Sequence, residues 1–289
     1  MKNARPVRSL YALVAVLAFT LVSGVFAQSY DLPDSIKQSG VIRIGSQETY
    51  VPAEFRQEGS DEVVGFTASI AREIGRRLGV EIEYVHAQYS ALIPGLAADR
   101  FDMGSGGMSP NPDRLEAVNM VGYYQSGATF IVRAEDEGKY EDAQGFCGLV
   151  VGALQGSSTL AAAIDRENEG CASAGKQPIE VEWFTTTPEG LQQVLLGRIE
   201  AYLPDYAQTL YIIATSPGQY STIGDNYYLV KYPIVFTFSK DGDPRLMEAV
   251  TNTIRDMMAD GTYIAILQEW GVEAGAILEP AVNSLTARQ

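Results

Sequence analysis

Short apolar strands alternate with amphipathic helices along this chain, and the alternation occurs in two successive runs. The first run predicts a strand over Val41–Gly45, a helix over Thr67–Leu78 with an apolar residue at every fourth position, and a strand over Val80–Val85. A further helix is predicted to begin at Asn111-Pro112, since Asn is a good N-cap and Pro suits the first helical position. Strands joined through helices predict parallel sheets with right-handed crossovers, so the fold class is α/β.

The second run starts after Cys147 and repeats the same order. Its predicted strands are Gly148–Ala153, Ile179–Phe184 and Ile199–Leu203. Its predicted helices are Ser157–Glu167 and Pro188–Leu196. A polar, charged stretch over 133–144 separates the runs, and 289 residues suffice for about two domains. Two similar α/β lobes, each a mainly parallel sheet flanked by helices, are therefore the simplest organisation.

The first 27 residues have the pattern of a secretory signal peptide. Three cations precede an apolar run over Leu10–Val22, and small residues follow up to Ala27. An uncleaved anchor is the alternative, but the run is shorter than the roughly 20 residues that a membrane span requires. The residue directly after the cleavage site is not a cysteine, so we expect no lipid anchor. The sequence predicts cleavage after residue 27 and a periplasmic protein.

The composition excludes several classes of function. With 21 Lys+Arg against 36 Asp+Glu, the formal charge is −15, which excludes nucleic acid and anionic membranes as expected partners. A single histidine leaves little room for a catalytic triad or a His-rich zinc site. The glycine-rich segments lack the full pattern of a dinucleotide or phosphate loop. We expect no metal and no cofactor.

The two cysteines, Cys147 and Cys171, predict a disulfide, because an exported protein enters an oxidising compartment. Closing a loop of this size would stabilise the fold by roughly 3 kcal/mol. A catalytic thiol is a poor alternative, since the only histidine, His86, lies in a different part of the sequence.

Residues that suit the two charged ends of an amino acid follow the predicted strands, where open parallel sheets bind ligands. Arg114 lies in the first turn of its helix, where its guanidinium and free backbone N–H groups can bind a carboxylate. Ser109 adds a hydroxyl donor, and Asp205 offers an anion for an ammonium. The aromatic rings of Tyr50 and Tyr89 would form flat apolar walls beside the ligand. Together they predict an α-amino acid site.

The second lobe contributes Ser157 and Ser158, at another helix start. Each candidate also has a purely structural interpretation: Asp205 and the two serines can begin helices, Arg114 can be a solvated cation, and tyrosines commonly pack in cores. Their common position at strand ends favours the binding site over these alternatives.

The chain resembles the type II periplasmic amino-acid-binding proteins of ABC transporters, from about Asp34 to Gly271. The similar segments are Gly65-Phe66, Ala91-Leu92-Ile93-Pro94-Gly95-Leu96, Gly107-Met108-Ser109-Pro110-Asn111-Pro112-Asp113-Arg114, Val151-Gly152-Ala153-Leu154-Gln155-Gly156-Ser157-Ser158, Gly197-Arg198-Ile199-Glu200-Ala201, Pro204-Asp205 and Asp260-Gly261-Thr262-Tyr263. This resemblance implies two lobes, 28–129 with 236–289 and 130–235, joined by hinge strands near 128–132 and 230–236.

The resemblance also implies residue roles. Arg114 and Ser109 would hold the ligand carboxylate with backbone near Ser157 and Ser158, and Asp205 would hold the ammonium. A backbone carbonyl near Gly107 would also contact the ammonium. Tyr50 and Tyr89 would lie on either side of the ligand side chain. Closure of the lobes would present a surface to the permease of an ABC importer, and we expect a monomer.

Two departures from the family pattern bear on specificity and local structure. Thr67 and Ser69 stand where members often have acids, and Ser69 is expected to cap the helix instead. Gln47 stands where binders of basic amino acids place an acid, although Glu48 beside it could turn inwards. We therefore favour a neutral or polar amino acid, or a derivative with the same carboxylate and nitrogen.

An enzyme on the same fold is the main alternative, because the resemblance extends to cyclohexadienyl dehydratases. Such a lyase needs an acid or base in the cleft with a shifted pKa. The available candidates are Glu48, Glu54 and His86. A sensory or adaptor module is a third possibility, but the chain shows no attached signalling domain. The sequence favours a transport receptor that binds without turnover.

Overall fold

A computed structural model describes residues 30–57, 59–224 and 227–289. The predicted signal peptide, 1–27, lies outside these residues. None of the described helices is long and apolar enough to cross a membrane. The strands are, in chain order, β1 (Val41–Ser46), β2 (Thr49–Tyr50), β3 (Glu54–Arg56), β4 (Val63–Val64), β5 (Glu81–His86), β6 (Met103–Gly104), β7 (Val118–Ala128), β8 (Ile131–Arg133), β9 (Val150–Leu154), β10 (Glu180–Phe184), β11 (Ala201–Tyr202), β12 (Tyr220–Thr222), β13 (Val230–Ser239) and β14 (Ala281–Val282).

The helices pack on these strands and follow the predicted alternation. They are, in chain order, α1 (Asp34–Ser39), α2 (Phe66–Leu78), α3 (Leu92–Ala97), α4 (Pro112–Ala117), α5 (Ser158–Ser173), α6 (Thr187–Leu195), α7 (Tyr206–Thr215), α8 (Pro244–Ala259) and α9 (Thr262–Glu269). The predicted start of α4 is confirmed, since the Asn111 side chain accepts a hydrogen bond from the Arg114 backbone N–H. Most other boundaries lie within a few residues of the prediction, except that α5 extends six residues further.

The first lobe contains a six-stranded sheet in the order β14-β7-β13-β6-β1-β5. The β5, β1 and β6 strands are parallel, as the βαβ pattern predicts. The other three strands are antiparallel additions, and the long β7 and β13 pair along their whole lengths. The lobe is therefore mixed, with a parallel half that ends at the cleft.

The second lobe contains a five-stranded sheet in the order β10-β9-β11-β8-β12. Its β10, β9 and β11 strands are parallel, β8 pairs antiparallel with β11, and β12 pairs antiparallel with β8. The predicted repetition of the first lobe's parallel half is thus confirmed. A third, small sheet of β2, β3 and β4 was not predicted; it lies in the first lobe and carries Tyr50 at the cleft.

The chain passes between the two sheets twice. The first passage joins β7 to β8 through Thr129 and Phe130, and the second joins β12 to β13. The first lies close to the start of α7: the Thr129 N–H donates to the Pro204 carbonyl at 3.3 Å, and Ala128 forms a bridge with Asp205. The segment 230–236 itself lies inside β13 of the first sheet. The predicted lobe limits and hinge motion stay predictions.

The start of α2 corrects one expectation. The helix begins after Gly65, which has a φ of 124° and whose absent Cβ would lie 2.2 Å from the Ala53 carbonyl oxygen. No side chain caps this end, so the expected cap by Ser69 is wrong; the Ser69 N–H donates within the helix to Gly65. Thr67 instead bonds the Tyr123 hydroxyl at 2.8 Å inside the core.

The predicted disulfide is present in the second lobe. Cys147 and Cys171 are bonded, with their Cα atoms 5.6 Å apart. Cys171 lies on α5 and is fully buried, so the bond ties this helix to the segment that precedes β9. The bond therefore supports the lobe's core and contributes no reactive thiol.

Candidate functional site

Asp205 is the only carboxylate among the described residues that line the cavity between the lobes. It precedes α7 and caps it, because its Oδ1 accepts from the Ala207 N–H at 3.0 Å. The same oxygen accepts from the Ser126 hydroxyl at 2.6 Å. The second oxygen, Oδ2, is buried without a hydrogen-bond partner in the described residues. The structural and functional interpretations of Asp205 are therefore compatible, since each uses a different oxygen.

Burial disfavours the charged form of Asp205. It raises the pKa of this carboxyl to about 6, although the Ser126 hydroxyl, the backbone of α7 and the Tyr50 hydroxyl partly offset the effect. An acceptor buried without a donor costs free energy unless something satisfies it. An ammonium group has three donors and no acceptor, so it suits this position.

Tyr50 supplies a second buried polar group to the same cavity. Its hydroxyl forms no hydrogen bond of normal length among the described residues, but it lies near enough to Asp205 to favour the ionised form of that carboxyl. Burial, followed by the charge of Asp205, raises the pKa of Tyr50 well above its usual value, so the hydroxyl stays protonated. Gly107 permits the close approach of this ring: with a φ of 80°, its absent Cβ would lie 2.8 Å from the ring. Tyr50, predicted as a wall of the site, therefore packs against Gly107, which was also predicted to belong to the site.

Arg114 is a buried cation held by neutral groups. Its Nη1 donates to the Ser109 carbonyl at 2.7 Å, and its Nη2 donates to the Gly156 carbonyl at 2.8 Å. Its guanidinium lies 5.7 Å from the centre of the Tyr89 ring. Only 6% of the residue is exposed, so the alternative of a solvated helix cation is wrong. No carboxylate of the described residues forms an ion pair with it, and a ligand carboxylate would provide that charge.

Several hydrogen bonds between described residues join the lobes across the cleft. Besides the bond from Arg114 to Gly156, Ser109 donates to Thr159 Oγ1 at 3.0 Å. Asn111 Nδ2 donates to Ser158 Oγ at 2.7 Å, and the Gln47 amide donates to the Thr185 carbonyl. These bonds hold the two lobes in contact, which describes a closed cleft.

The predicted residues divide into two groups by position. Those that line the cavity are Gln47, Tyr50, Tyr89, Gly107, Ser157 and Asp205. Those that lie outside its lining are Ser109, Arg114 and Ser158. Arg114 borders the cavity through its contacts with Tyr89 and Gly156. Ser158 accepts a hydrogen bond from Asn111 across the cleft.

Several lining residues were not predicted. Gln208 lies one helical turn after Asp205 and is 3% exposed, and that spacing was a signal that could have found it. Thr187 is the first residue of α6, directly after its N-cap Thr186. Tyr202 and Tyr232 come from strand interiors and carry no local signal. All these side chains are uncharged, so the wall away from Asp205 is neutral.

The candidate acids and base for an enzyme do not line this cavity. Glu48, at a φ of 58°, turns towards the first lobe and pairs with Arg56. Glu54 is fully buried and accepts from the Ser105 hydroxyl at 2.7 Å, and burial raises its pKa to about 7. The His86 side chain is 62% exposed and lies 3.9 Å from Glu48. None of the three belongs to the lining of the described cavity.

The profile of the bacterial extracellular solute-binding proteins, family 3, matches residues 42–273 of the chain. The chain belongs to this family. That match covers both sheets apart from β14, and every site residue described above, and it confirms the resemblance and the two-lobed α/β fold. Family 3 proteins are exported, whereas the signal peptide itself stays a prediction.

Named relatives of this family 3 protein are binding proteins, not enzymes, and the chain is accordingly a binding protein. An arginine-binding protein of Corynebacterium glutamicum is 23% identical over 252 residues, which cover 87% of this chain and 81% of the relative. An L-cystine-binding protein of Escherichia coli is 24% identical, with 90% and 94% covered. A histidine-binding periplasmic protein of Escherichia coli is 26% identical, with 90% and 95% covered.

Solved structures show the same fold. A variant of ArgBP from T. maritima superposes with a TM-score of 0.72 at 25% identity, covering 82% of this chain and 98% of that one. An ancestral amino acid-binding protein described as a precursor of cyclohexadienyl dehydratase has a TM-score of 0.70 at 24% identity, covering 82% and 98%. The fold alone therefore does not separate binding proteins from that enzyme's lineage.

Proposed function

We propose that this protein captures a neutral or polar amino acid between its lobes and delivers it to the permease of an ABC importer. The unpartnered Oδ2 of Asp205 carries the proposal, because a buried acceptor with no donor suits the ammonium of an amino acid. The named relatives that bind arginine, cystine and histidine support an amino acid as the ligand class.

The carboxylate of the ligand is proposed to bind beside Arg114. The guanidinium has five N–H donors, and the bonds to Ser109 and Gly156 leave some of them free. Ser157 does not cap α5 with its side chain, but the N–H groups of Ser157 and Ser158 donate to the Leu154 and Gly156 carbonyls. Backbone donors to the ligand would therefore come from the following residues of the first turn of α5. A carboxylate at this edge of the cavity would contact both lobes and stabilise the closed form.

A neutral side chain fits the rest of the cavity better than a basic one. The remaining lining is uncharged, and a buried ammonium or guanidinium there would lack an ion-pair partner. Glu48, which was the open question, is engaged with Arg56 outside the lining. For these reasons we favour neutral or polar amino acids over lysine and arginine.

The expected affinity is compatible with uptake. An amino acid has about ten heavy atoms, and very small ligands reach at most roughly −1.5 kcal/mol per atom. Micromolar binding, about −8 kcal/mol, therefore requires both charged ends to be paired and dry. The cavity offers a group for each end.

A thermal unfolding screen against amino acids tests this function. A ligand at about 100 times its Kd should add roughly 2.7 kcal/mol and raise the Tm by several degrees. We expect one or a few neutral or polar amino acids to do so and to be recovered unchanged by mass spectrometry. Absence of any shift, or consumption of the compound that shifts the Tm, would contradict the proposal. A shift with lysine or arginine alone would contradict the specificity.

Export and assembly belong to the same proposal. The mature protein is proposed to begin near Gln28 and to act as a periplasmic monomer. N-terminal sequencing of the exported protein and its sedimentation velocity test these two statements separately from ligand binding.

A further inference from the structure

A second cavity, of about 350 Å³, lies where the two lobes and both passages of the chain meet. Its size falls within the range of roughly 300–1,000 Å³ that is typical of small-molecule sites. We call it the junction cavity and define it by the aromatic and apolar residues Tyr124, Tyr206, Leu210, Tyr211, Tyr228 and Trp270. They come from β7, α7, the segment before β13 and the end of α9.

The junction cavity is separate from the amino-acid cavity. The start of α7 lies between them: Asp205 and Gln208 line the amino-acid cavity, whereas Tyr206 and Leu210 line the junction cavity. Ser126 lines the junction cavity and donates to Asp205, so the two cavities share this wall. A molecule in the junction cavity would therefore leave the amino-acid site open.

Aromatic contacts fix the walls of the junction cavity. The Trp270 ring meets Phe55 edge-on, with ring centres 6.3 Å apart, and Phe55 also contacts Tyr211 at 6.0 Å. The rings of Tyr206 and Tyr228 lie 4.3 Å apart. Such preorganised rings favour a flat aromatic guest, because offset or edge contacts between rings add to the hydrophobic gain.

Two side-chain groups of the lining, one buried and one exposed, can donate to a ligand. The indole Nε1–H of Trp270 is buried without a hydrogen-bond partner in the described chain. Lys231 is the only charged side chain among the described lining residues; its Nζ lies 4.7 Å from the Tyr228 ring centre, and it forms no ion pair with a described carboxylate. A ligand oxygen would satisfy the buried indole N–H, and a negative charge on the ligand would pair with the exposed Lys231 ammonium.

We propose that the junction cavity binds a small aromatic carboxylate, which stacks on its rings and offers its oxygens to the Trp270 indole N–H or the Lys231 ammonium. The site uses neither Asp205 nor Arg114. It thus gives this binding protein a second ligand class, distinct from the amino acid in the cleft.

Calorimetric titration with 2-naphthoate tests the proposal on the full exported protein. We expect one-to-one binding with a Kd below about 1 mM. Trp270→Phe keeps a ring but removes the N–H, and it should weaken binding about three- to ten-fold. Trp183→Phe is the matched control, because it removes the chain's only other indole from β10 and should change nothing.

Three further titrations locate the probe. Ala214→Trp adds bulk at an exposed position of the lining and should abolish binding. Lys231→Met should weaken the binding of 2-naphthoate but not that of its neutral carboxamide. Arg114→Ala disrupts the amino-acid site and should leave 2-naphthoate binding unchanged.

Two results would overturn the proposal. One is the absence of 2-naphthoate binding to the wild-type protein at about 10 mM. The other is binding that Arg114→Ala abolishes while Trp270→Phe and Ala214→Trp do not alter it, since the probe would then occupy the amino-acid cavity. Should Ala214→Trp fail to fold, the comparison of Trp270→Phe with Trp183→Phe still decides the question. Neither result bears on amino-acid binding, so the proposed function is tested independently.

Discussion

The Ser126 hydroxyl on β7 donates to Oδ1 of Asp205, ahead of α7, at 2.6 Å. This bond joins the long strand of the first sheet to the helix start of the second lobe, beside the passage between the lobes. It occupies one carboxylate oxygen, while Oδ2 has no hydrogen bond of normal length among the described residues. The strand therefore positions the acceptor on which the proposed function depends.

Asp205→Asn should weaken amino-acid binding by at least about ten-fold, because a charge-assisted hydrogen bond to the ammonium is lost. Asn remains a good N-cap, so α7 should keep its start and the Tm of the free protein should change little. Calorimetry and thermal unfolding measure the two effects. Ser126→Ala is the companion variant, and its effect on affinity should be smaller. Unchanged affinity in Asp205→Asn would remove Asp205 from the site.

Arg114→Ala should also weaken binding by at least about ten-fold, since it removes the buried guanidinium beside Gly156. Arg114→Lys should recover only part of the loss, because an ammonium cannot form a two-pronged bond with a carboxylate. Arg76→Ala is the control, since Arg76 is an exposed helix cation paired with Glu73. Equal affinities for the Arg114 and Arg76 variants would show that Arg114 does not hold the ligand.

Amino-acid affinity should fall as the pH drops below about 6, because the pKa of Asp205 is raised to about 6 and the ammonium binds the ionised form. Each pH unit below that value should reduce affinity about ten-fold. The ligand-free protein behaves oppositely. A raised carboxyl pKa contributes stability that is complete below the unfolded value and is lost as the pH rises through about 6. Titrations from pH 4.5 to 8 should show this fall in the wild type and a flatter profile in Asp205→Asn.

Glu54→Gln should stabilise the protein at pH 8. Burial raises the pKa of Glu54 to about 7, so ionising this carboxyl in the folded state opposes folding. The contribution of Glu54 to the free energy of unfolding is complete when the pH is below the usual pKa of a glutamate. It is lost as the pH rises through about 7. Relative to the wild type, the free energy of unfolding of the variant should be higher by on the order of 3 kcal/mol at pH 8 and unchanged below about pH 4.5. Denaturant unfolding at both pH values measures this difference, and a gain equal at both would contradict it.

The parallel halves of both lobes could be predicted because their signals are local. Apolar periodicity located α2 and β5, and Asn111-Pro112 located the start of α4. The pairing of β7 with β13 could not be predicted, because it joins residues more than one hundred positions apart. Neither segment has a local sequence pattern that indicates its partner. The short strands β2, β3 and β4 are too brief for any period to show.

The charged part of the site could be predicted for the same reason, since Arg114 and Asp205 begin helices that follow strands. The wall around the ligand side chain could not. Tyr232 reaches the cavity only because β13 returns to the first sheet, and its own sequence reads as ordinary buried strand. Specificity therefore depends on tertiary contacts that a single sequence does not display.

A diffraction structure of the protein with the amino acid selected by the thermal screen tests the central claim most directly. We predict the ligand ammonium within about 3 Å of Asp205 Oδ2 and the ligand carboxylate on the Arg114 guanidinium, with the side chain against the neutral wall. A ligand bound elsewhere, or one whose nitrogen makes no contact with Asp205, would contradict the claim.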